Sequence, residues 1–289
     1  MTRSQLRVLS RVLGVLVFGV CFVLVLDYAQ AGGKKDPAPT QPAPAADATV
    51  SVPPALTGAT ASADSVAFSG LPSVGAVFSV DDQGRSDHHH YCTASVVDSA
   101  SGDVVVTAAH CVQNPVNGVP TTSQFVFVPD YHDGQEPYGE WASVKIIVDP
   151  RWTATSDPDY DVAFAVVQQT TAPKARLADI VGAEHIAFAP QRPELVGAIG
   201  YPSATEEPVA CLNTMKPYAP TQSEFDCTGF ADGSSGGPLL SGISPATGRG
   251  TLVGVIGGYQ EGGDTPDVSY ACYFGDAVKA LYQQAAAVG

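Results

Sequence analysis

The sequence predicts an all-β protein, a sandwich or barrel arrangement, on three observations. Glycine and proline are abundant, 29 Gly and 23 Pro in 289 residues, so turns must be frequent. Short runs rich in Val, Ile, Thr and aromatic residues recur between those turns. A helical repeat of apolar positions emerges only near the C-terminus. At roughly 100–200 residues per domain, the length allows one large domain or two moderate ones with a substantial core. The balance of 14 basic against 29 acidic side chains gives a formal charge of −15. With no Lys/Arg-rich run to neutralise phosphates, nucleic acid is excluded as an expected partner.

The first segment reads as an address. Arg3, Arg7 and Arg11 precede an uncharged apolar run from Val12 to Leu26, and Ala29-Gln30-Ala31 supplies a small-x-small cleavage pattern. The run is shorter than the roughly 20 residues of a membrane span. Residues 1–31 are therefore expected to be a signal peptide, with an uncleaved anchor holding the chain outside the cell as the alternative. Either way the remainder is exported to a compartment that permits disulfides, and no membrane insertion is expected after cleavage. From Gly32 to Ser65 the chain is dominated by Pro, Ala, Thr, Gly and Asp, with no aromatic residue. Such a composition buries too little apolar surface to order itself, so residues 32–65 read as a linker or pro-segment.

Strands are expected next at Val74–Val80, Cys92–Val97, Val104–Ala108, Gln124–Pro129, Trp141–Val148 and Val162–Val167. A second series covers Leu195–Ile199, Pro238–Ser241, Thr251–Ile256 and Val268–Tyr273. The break near Thr170–Gln191 divides residues 66–289 into halves of about 66–180 and 181–289. A final helix places Ala277, Val278, Leu281, Tyr282 and Ala285 on one face, with Asp276 as its expected cap.

Three separated segments carry chemistry. Val104–Thr107 leads through Ala108-Ala109 to His110 and Cys111, and histidine titrates near neutrality, as a general base must. Asp159-Tyr160-Asp161 opens onto the apolar run Val162–Val167, placing the Asp161 carboxylate at the mouth of a strand. Asp232-Gly233-Ser234-Ser235-Gly236-Gly237-Pro238 offers two hydroxyls among glycines whose exposed N–H groups could receive an oxyanion. Taken singly, each has a bland reading: a structural histidine, a solvated turn carboxylate, a serine-glycine linker. The triplet His88-His89-His90 is not expected to bind metal, because an extended backbone points alternate side chains to opposite sides.

In this order, Thr107-Ala108-Ala109-His110-Cys111, Asp161-Val162-Ala163-Phe164 and Gly233-Ser234-Ser235-Gly236-Gly237-Pro238 resemble the His, Asp and Ser signatures of the trypsin/chymotrypsin-like serine peptidases. The secreted bacterial branch that includes glutamyl endopeptidases is the most similar, through Cys92-Thr93-Ala94-Ser95 and the nucleophile loop. The resemblance implies two six-stranded antiparallel β-barrels flanking a cleft, with residues 66–289 as the peptidase domain. It implies His110, Asp161 and Ser235 as catalytic residues, and selects Ser235 over Ser234 because Gly-Gly-Pro follows it. The N–H groups of Gly233 and Ser235 would form the oxyanion hole. No cofactor or metal is expected. A protein or peptide would be the substrate and the chain would be a secreted monomer, with a catalytically silent protease-like binding module as the alternative.

The same resemblance pairs Cys92 with Cys111. It makes Cys211–Cys227 the second bridge, bracing the loop that feeds the nucleophile, and leaves Cys272 over, though pairing of Cys272 with Cys211 or Cys227 stays open. Phe230, Ala231, Asp232, Gly257, Gly258 and Tyr259 are expected to wall the substrate pocket; no carboxylate aligns with its floor. In the related digestive enzymes, a newly cut N-terminal ammonium pairs with an aspartate just before the nucleophile. Ser234 stands there in this chain, and no Lys or Arg occurs between Asp36 and Gly84. The oxyanion loop is therefore expected to be ordered by its own hydrogen bonds, the Ser234 hydroxyl among them, with activity indifferent to where the chain starts between Gly32 and Ser65.

Overall fold

The structure, a computed structural model, describes residues 50–81, 86–116, 119–171 and 174–288. The expected signal peptide and residues 32–49 of the expected linker lie outside the described residues. Strand β1 (Val66–Ala67) is followed by β2 (Val74–Val80), β3 (Ser86–Val96), β4 (Val104–Thr107), the β5 (Gln113–Val116) and β6 (Val119–Thr122) hairpin, β7 (Phe125–Pro129), β8 (Trp141–Val148) and β9 (Ala163–Gln169). Of these, β2, β3, β4, β9, β8 and β7 close in that order into a six-stranded barrel. Strands β4 and β7 are buried along their whole length, so both of their faces are covered, and the period-two alternation shows where each face goes. Val105 of β4 points into a cluster with Phe125, Phe127 and Trp141, whereas Val104 and Val106 join Ile199, Leu240 and Val255 of the second half.

The second half corrects the expectation of two closed barrels. Strands β10 (His185–Ile186), β11 (Glu194–Gly200), β12 (Val209–Ala219), β13 (Gln222–Asp226), β14 (Pro238–Ser241), β15 (Thr251–Val255) and β16 (Val268–Cys272) form a sheet of order β10-β15-β14-β11-β12-β13-β16, to which β1 adds by pairing with β12. Closure would need a ladder between β15 and β16. Beyond Val255 the chain turns through Gly258, Gln260 and Glu261, all at positive φ, which ends the strand. What joins the two edges there is the Gly257 N–H donating to the Tyr270 carbonyl at 2.9 Å. Strands β12 and β13, absent from the sequence expectation, lie between β11 and β16 on that path; β12 mixes buried Ala210, Cys211, Leu212 and Met215 with polar residues, and β13 is mostly polar.

Residues 50–65, which their composition assigns to a linker, lie along this sheet. The one-turn helix α1 (Pro54–Thr57) buries Leu56 to 1% exposure against Gly197, where an added Cβ would sit 2.8 Å from the leucine. A segment too apolar-poor to fold alone can still dock one leucine on a core that already exists. The short helix α2 (Pro150–Thr155) falls between β8 and β9 in sequence, and α3 (Leu177–Val181) between β9 and β10. The C-terminal α4 (Asp276–Ala286) buries Val278, Leu281 and Ala285 on the seam beside Phe164. Gly275 takes the cap position, and Asp276 lies one residue inside, where its charge suits the helix dipole. Among the described residues, no helix is long and apolar enough to cross a membrane.

Candidate active site

β4 ends at Thr107, and the fully buried Ala108 and Ala109 leave no room for larger side chains as the chain turns to His110. Asp161 follows a single 3₁₀ turn, Pro158–Tyr160, whose cap is the Asp157 carboxylate receiving the Asp159 N–H. The two meet in the interior. The His110 backbone N–H donates to Asp161 Oδ1 at 2.9 Å, and its Nδ1–H donates to Oδ2 at 2.8 Å. The Gly258 N–H adds a third bond to Oδ2 at 2.8 Å. Asp161 is wholly buried, so its charge is held by three donors instead of water. Burial pulls the His110 pKa down, but the Asp161 charge and hydrogen bond, with Glu261 beyond, outweigh it and hold the imidazole above its ordinary 6.5.

The third segment is spliced to the first barrel by Thr93 of β3. Its N–H donates to the Ser235 carbonyl at 2.7 Å, and its hydroxyl donates to the Gly233 carbonyl and accepts from the Tyr201 N–H, both at 2.9 Å. Gly233 stands at φ +98°, with an added Cβ placed 2.4 Å from the Tyr201 carbonyl, so only glycine fits. Among the described residues, no acceptor meets the N–H of Gly233 or of Ser235. The Ser235 hydroxyl reaches the Glu261 carbonyl at 3.4 Å. The Ser234 hydroxyl is buried without a hydrogen-bond partner, contrary to the expectation that it ties the loop; the loop is held by Thr93 and by Ser203, whose N–H donates to the Asp232 carbonyl.

His110, Gly233 and Ser235 line one cleft of about 990 Å³. Phe230, Ala231 and Asp232 line it too. Gly257, Gly258 and Tyr259 do not: the glycines back onto Asp161, and Tyr259 packs tilted against Tyr218 and edge-to-face against Tyr270. The opposite wall is the run from Gln260 to Pro266. Cys92 is bonded to Cys111 and Cys211 to Cys227, while Cys272 is unbridged and buried, which raises its thiol pKa. The Cys92, His110 and Cys111 donor atoms lie within 4.8 Å of one another, but the disulfide leaves no thiolate to ligate a metal. Of the histidine triplet, His90 is buried with Nε2–H donating to the Thr205 carbonyl, and His88 and His89 are exposed.

Two positioning residues escaped the sequence reading. Thr93 carried a weak signal, a polar residue between the buried Cys92 and Ala94. Gln222 of β13 carried none. Its amide donates to the Pro158 carbonyl and to Asp159 Oδ1, and its oxygen accepts the Tyr259 N–H, so it clamps the Asp161 turn to the segment that bonds Asp161 from behind.

A family model described as Trypsin matches residues 72–274. Among solved structures, the chain is similar to the protease Anisep from Arthrobacter nicotinovorans, with TM-score 0.64 and 29% identity over 77% of this chain and 99% of that one. A thermostable serine protease, AL20, from an extremophilic microorganism gives TM-score 0.63 and 30% identity over 75% and 98%. A Glu endopeptidase shares the fold at TM-score 0.60, with 15% identity over 77% and 96%. No curated protein sequence matches the chain. With a buried His–Asp pair, a glycine-bounded serine and a family match that runs from before β2 to past β16, the chain belongs to the trypsin family of chymotrypsin-like serine peptidases.

Proposed function

We propose that the protein is a secreted serine endopeptidase working through His110, Asp161 and Ser235. One observation carries the reading: both Asp161 oxygens are committed to His110, on the rim of the cleft that Ser235 also lines. Asp161 fixes the tautomer with the proton on Nδ1, leaving Nε2 as the base. The Ser235 Oγ attacks the peptide carbonyl carbon while its proton passes to His110 Nε2. The carbonyl oxygen takes the displaced electron pair and is received by the N–H groups of Gly233 and Ser235. His110 then returns the proton to the leaving amine, the C–N bond breaks, and the acyl group remains on Ser235. Water, deprotonated by the same imidazole, then adds to the acyl carbon; the bond to Ser235 Oγ breaks, His110 returns the proton to that oxygen, and the acid leaves. Asp161 stabilises the imidazolium in both halves. No metal or cofactor enters these steps.

Export is supported by the two disulfides and by the Arg-flanked apolar run ending at Ala31. Incubation of the purified chain with an unfolded protein, read by mass spectrometry, tests the activity. Peptides with new internal termini are expected from the parent and not from His110→Ala. Absence of cleavage, or equal cleavage by both, rules the reading out.

A further inference from the structure

The geometry of residues 62–68 argues against the expectation that activity is indifferent to where the chain starts. The Ser62 N–H donates to the Leu212 carbonyl at 2.8 Å and the Phe68 N–H to the Pro208 carbonyl at 3.1 Å, with Val66 and Ala67 paired to Ala210 and Val209 of β12 between them. On the other side the Thr228 N–H donates to the Ala63 carbonyl at 2.8 Å, and the Ser65 N–H reaches the Thr228 hydroxyl at 3.3 Å. Gly229, at φ +82°, lets the strand come this close, since a Cβ there would lie 2.7 Å from the Ser65 hydroxyl. The segment thus bonds to both β12 and the stretch Cys227–Phe230, alongside the Cys211–Cys227 bridge. Leu56 anchors it upstream.

That stretch runs directly into the cleft. Phe230 is part of the wall, tied at its N–H to the Pro266 carbonyl on the facing run. By contrast, no residue from 50 to 68 lines the cleft. The segment braces one wall without covering the opening. We infer that residues 62–68 are a positioning strap: they hold the Cys227–Phe230 wall in its substrate-binding shape, so that detaching them weakens the enzyme. The sign is opposite to that of an inhibitory pro-segment, whose removal would switch activity on. The inference rests on the peptidase reading.

Because the strap acts on a wall and not on His110, Asp161 or Ser235, its loss belongs in KM more than in kcat. The test uses the full chain, a fluorescent peptide substrate identified from the cleavage products, and titration of competent sites with a fluorophosphonate, so that unfolded protein is not counted. Ser62→Pro deletes the donor to Leu212; KM is expected to rise about tenfold, with kcat per titrated site within about threefold. Ser62→Ala keeps the N–H to Leu212 and gives up only the exposed Asp64 N–H bond to the Ser62 hydroxyl at 3.2 Å, so its KM should stay within about twofold of the parent. Thr228→Ala leaves the backbone intact and removes the hydroxyl that receives the Ser65 N–H, so its KM should rise two- to threefold even where the proline variant fails to fold. A merely structural role would lower the titrated fraction and leave KM unchanged in Thr228→Ala, and that result overturns the strap. A parent chain that neither titrates nor cleaves overturns the peptidase reading itself.

Discussion

Asp161 is the residue on which the site's electrostatics turn. A wholly buried carboxylate is tolerable because three N–H groups point at it, two of them from His110. Asp161→Asn would put an amide NH₂ against one of those donors and release the tautomer, so kcat should fall by about 10⁴; Ser235→Ala or His110→Ala should cost on the order of 10⁶. Double variants should cost little more than the larger single loss. Since Asp161 holds the His110 imidazole above its ordinary value, kcat/KM should rise with pH through an apparent pKa above 6.5, the base being active only when neutral. A rising limb below 6.5 in the parent would contradict that electrostatic account. The sequence offered these three residues as candidates because each lies in a short, local word of sequence. Gln222 was not, because its partners are far away in the chain and a lone glutamine in a polar stretch looks like a solvated edge.

At the scale of elements, the loop from Asp232 to Gly237 shows how backbone space sets chemistry. Gly233→Ala places a methyl group on the Tyr201 carbonyl and the Ser203 hydroxyl, and the N–H it displaces is one of the two unengaged donors. The expected loss is about 10²–10³ in kcat with a smaller change in KM, measured by steady-state kinetics; a loss confined to KM would show that the Gly233 N–H does not receive the oxyanion. The strands of the barrel were readable from β-branched runs with turns between them. Those of the second sheet were half-readable: β12 contains Asn213, Lys216 and Pro217, and β13 is mostly polar, so neither shows alternation. Their place is fixed by pairing, β12 with β11 and β13 with β16. Likewise the early end of β15 depends on a left-handed turn that glycine-rich sequence permits without specifying.

Across the whole molecule the two halves are joined by buried polar groups as well as by the apolar seam. Glu184 is fully buried; one oxygen bonds the Ser73 hydroxyl at 2.5 Å and the other accepts the Gly250 N–H at 2.6 Å, while its carbonyl receives the Asp98 N–H. Burial pushes its carboxyl up from 4.5 to about 7. A folded pKa above the unfolded one means that the native state holds a proton the unfolded chain releases. The corresponding stability is complete below about 4.5 and is lost as pH rises through 7. At 1.36 kcal/mol per unit, the loss between pH 5 and pH 8.5 is about 2–3 kcal/mol. Glu184→Gln keeps a carbonyl for Gly250 and a donor for Ser73, so urea unfolding should show a flatter dependence on pH than the parent. An unchanged dependence would assign the effect to other groups.

The most direct measurement of the central claim is the site of covalent capture by a fluorophosphonate, mapped by peptide mass spectrometry on the parent chain. Only a serine hydroxyl served by a neighbouring base, with its phosphoryl oxygen received by oriented donors, reacts rapidly. One adduct per chain on Ser235, abolished in His110→Ala and retained in Ser234→Ala, is the predicted result. An adduct on Ser234, or no adduct on a folded parent chain, would contradict the assignment of His110, Asp161 and Ser235 as the working group.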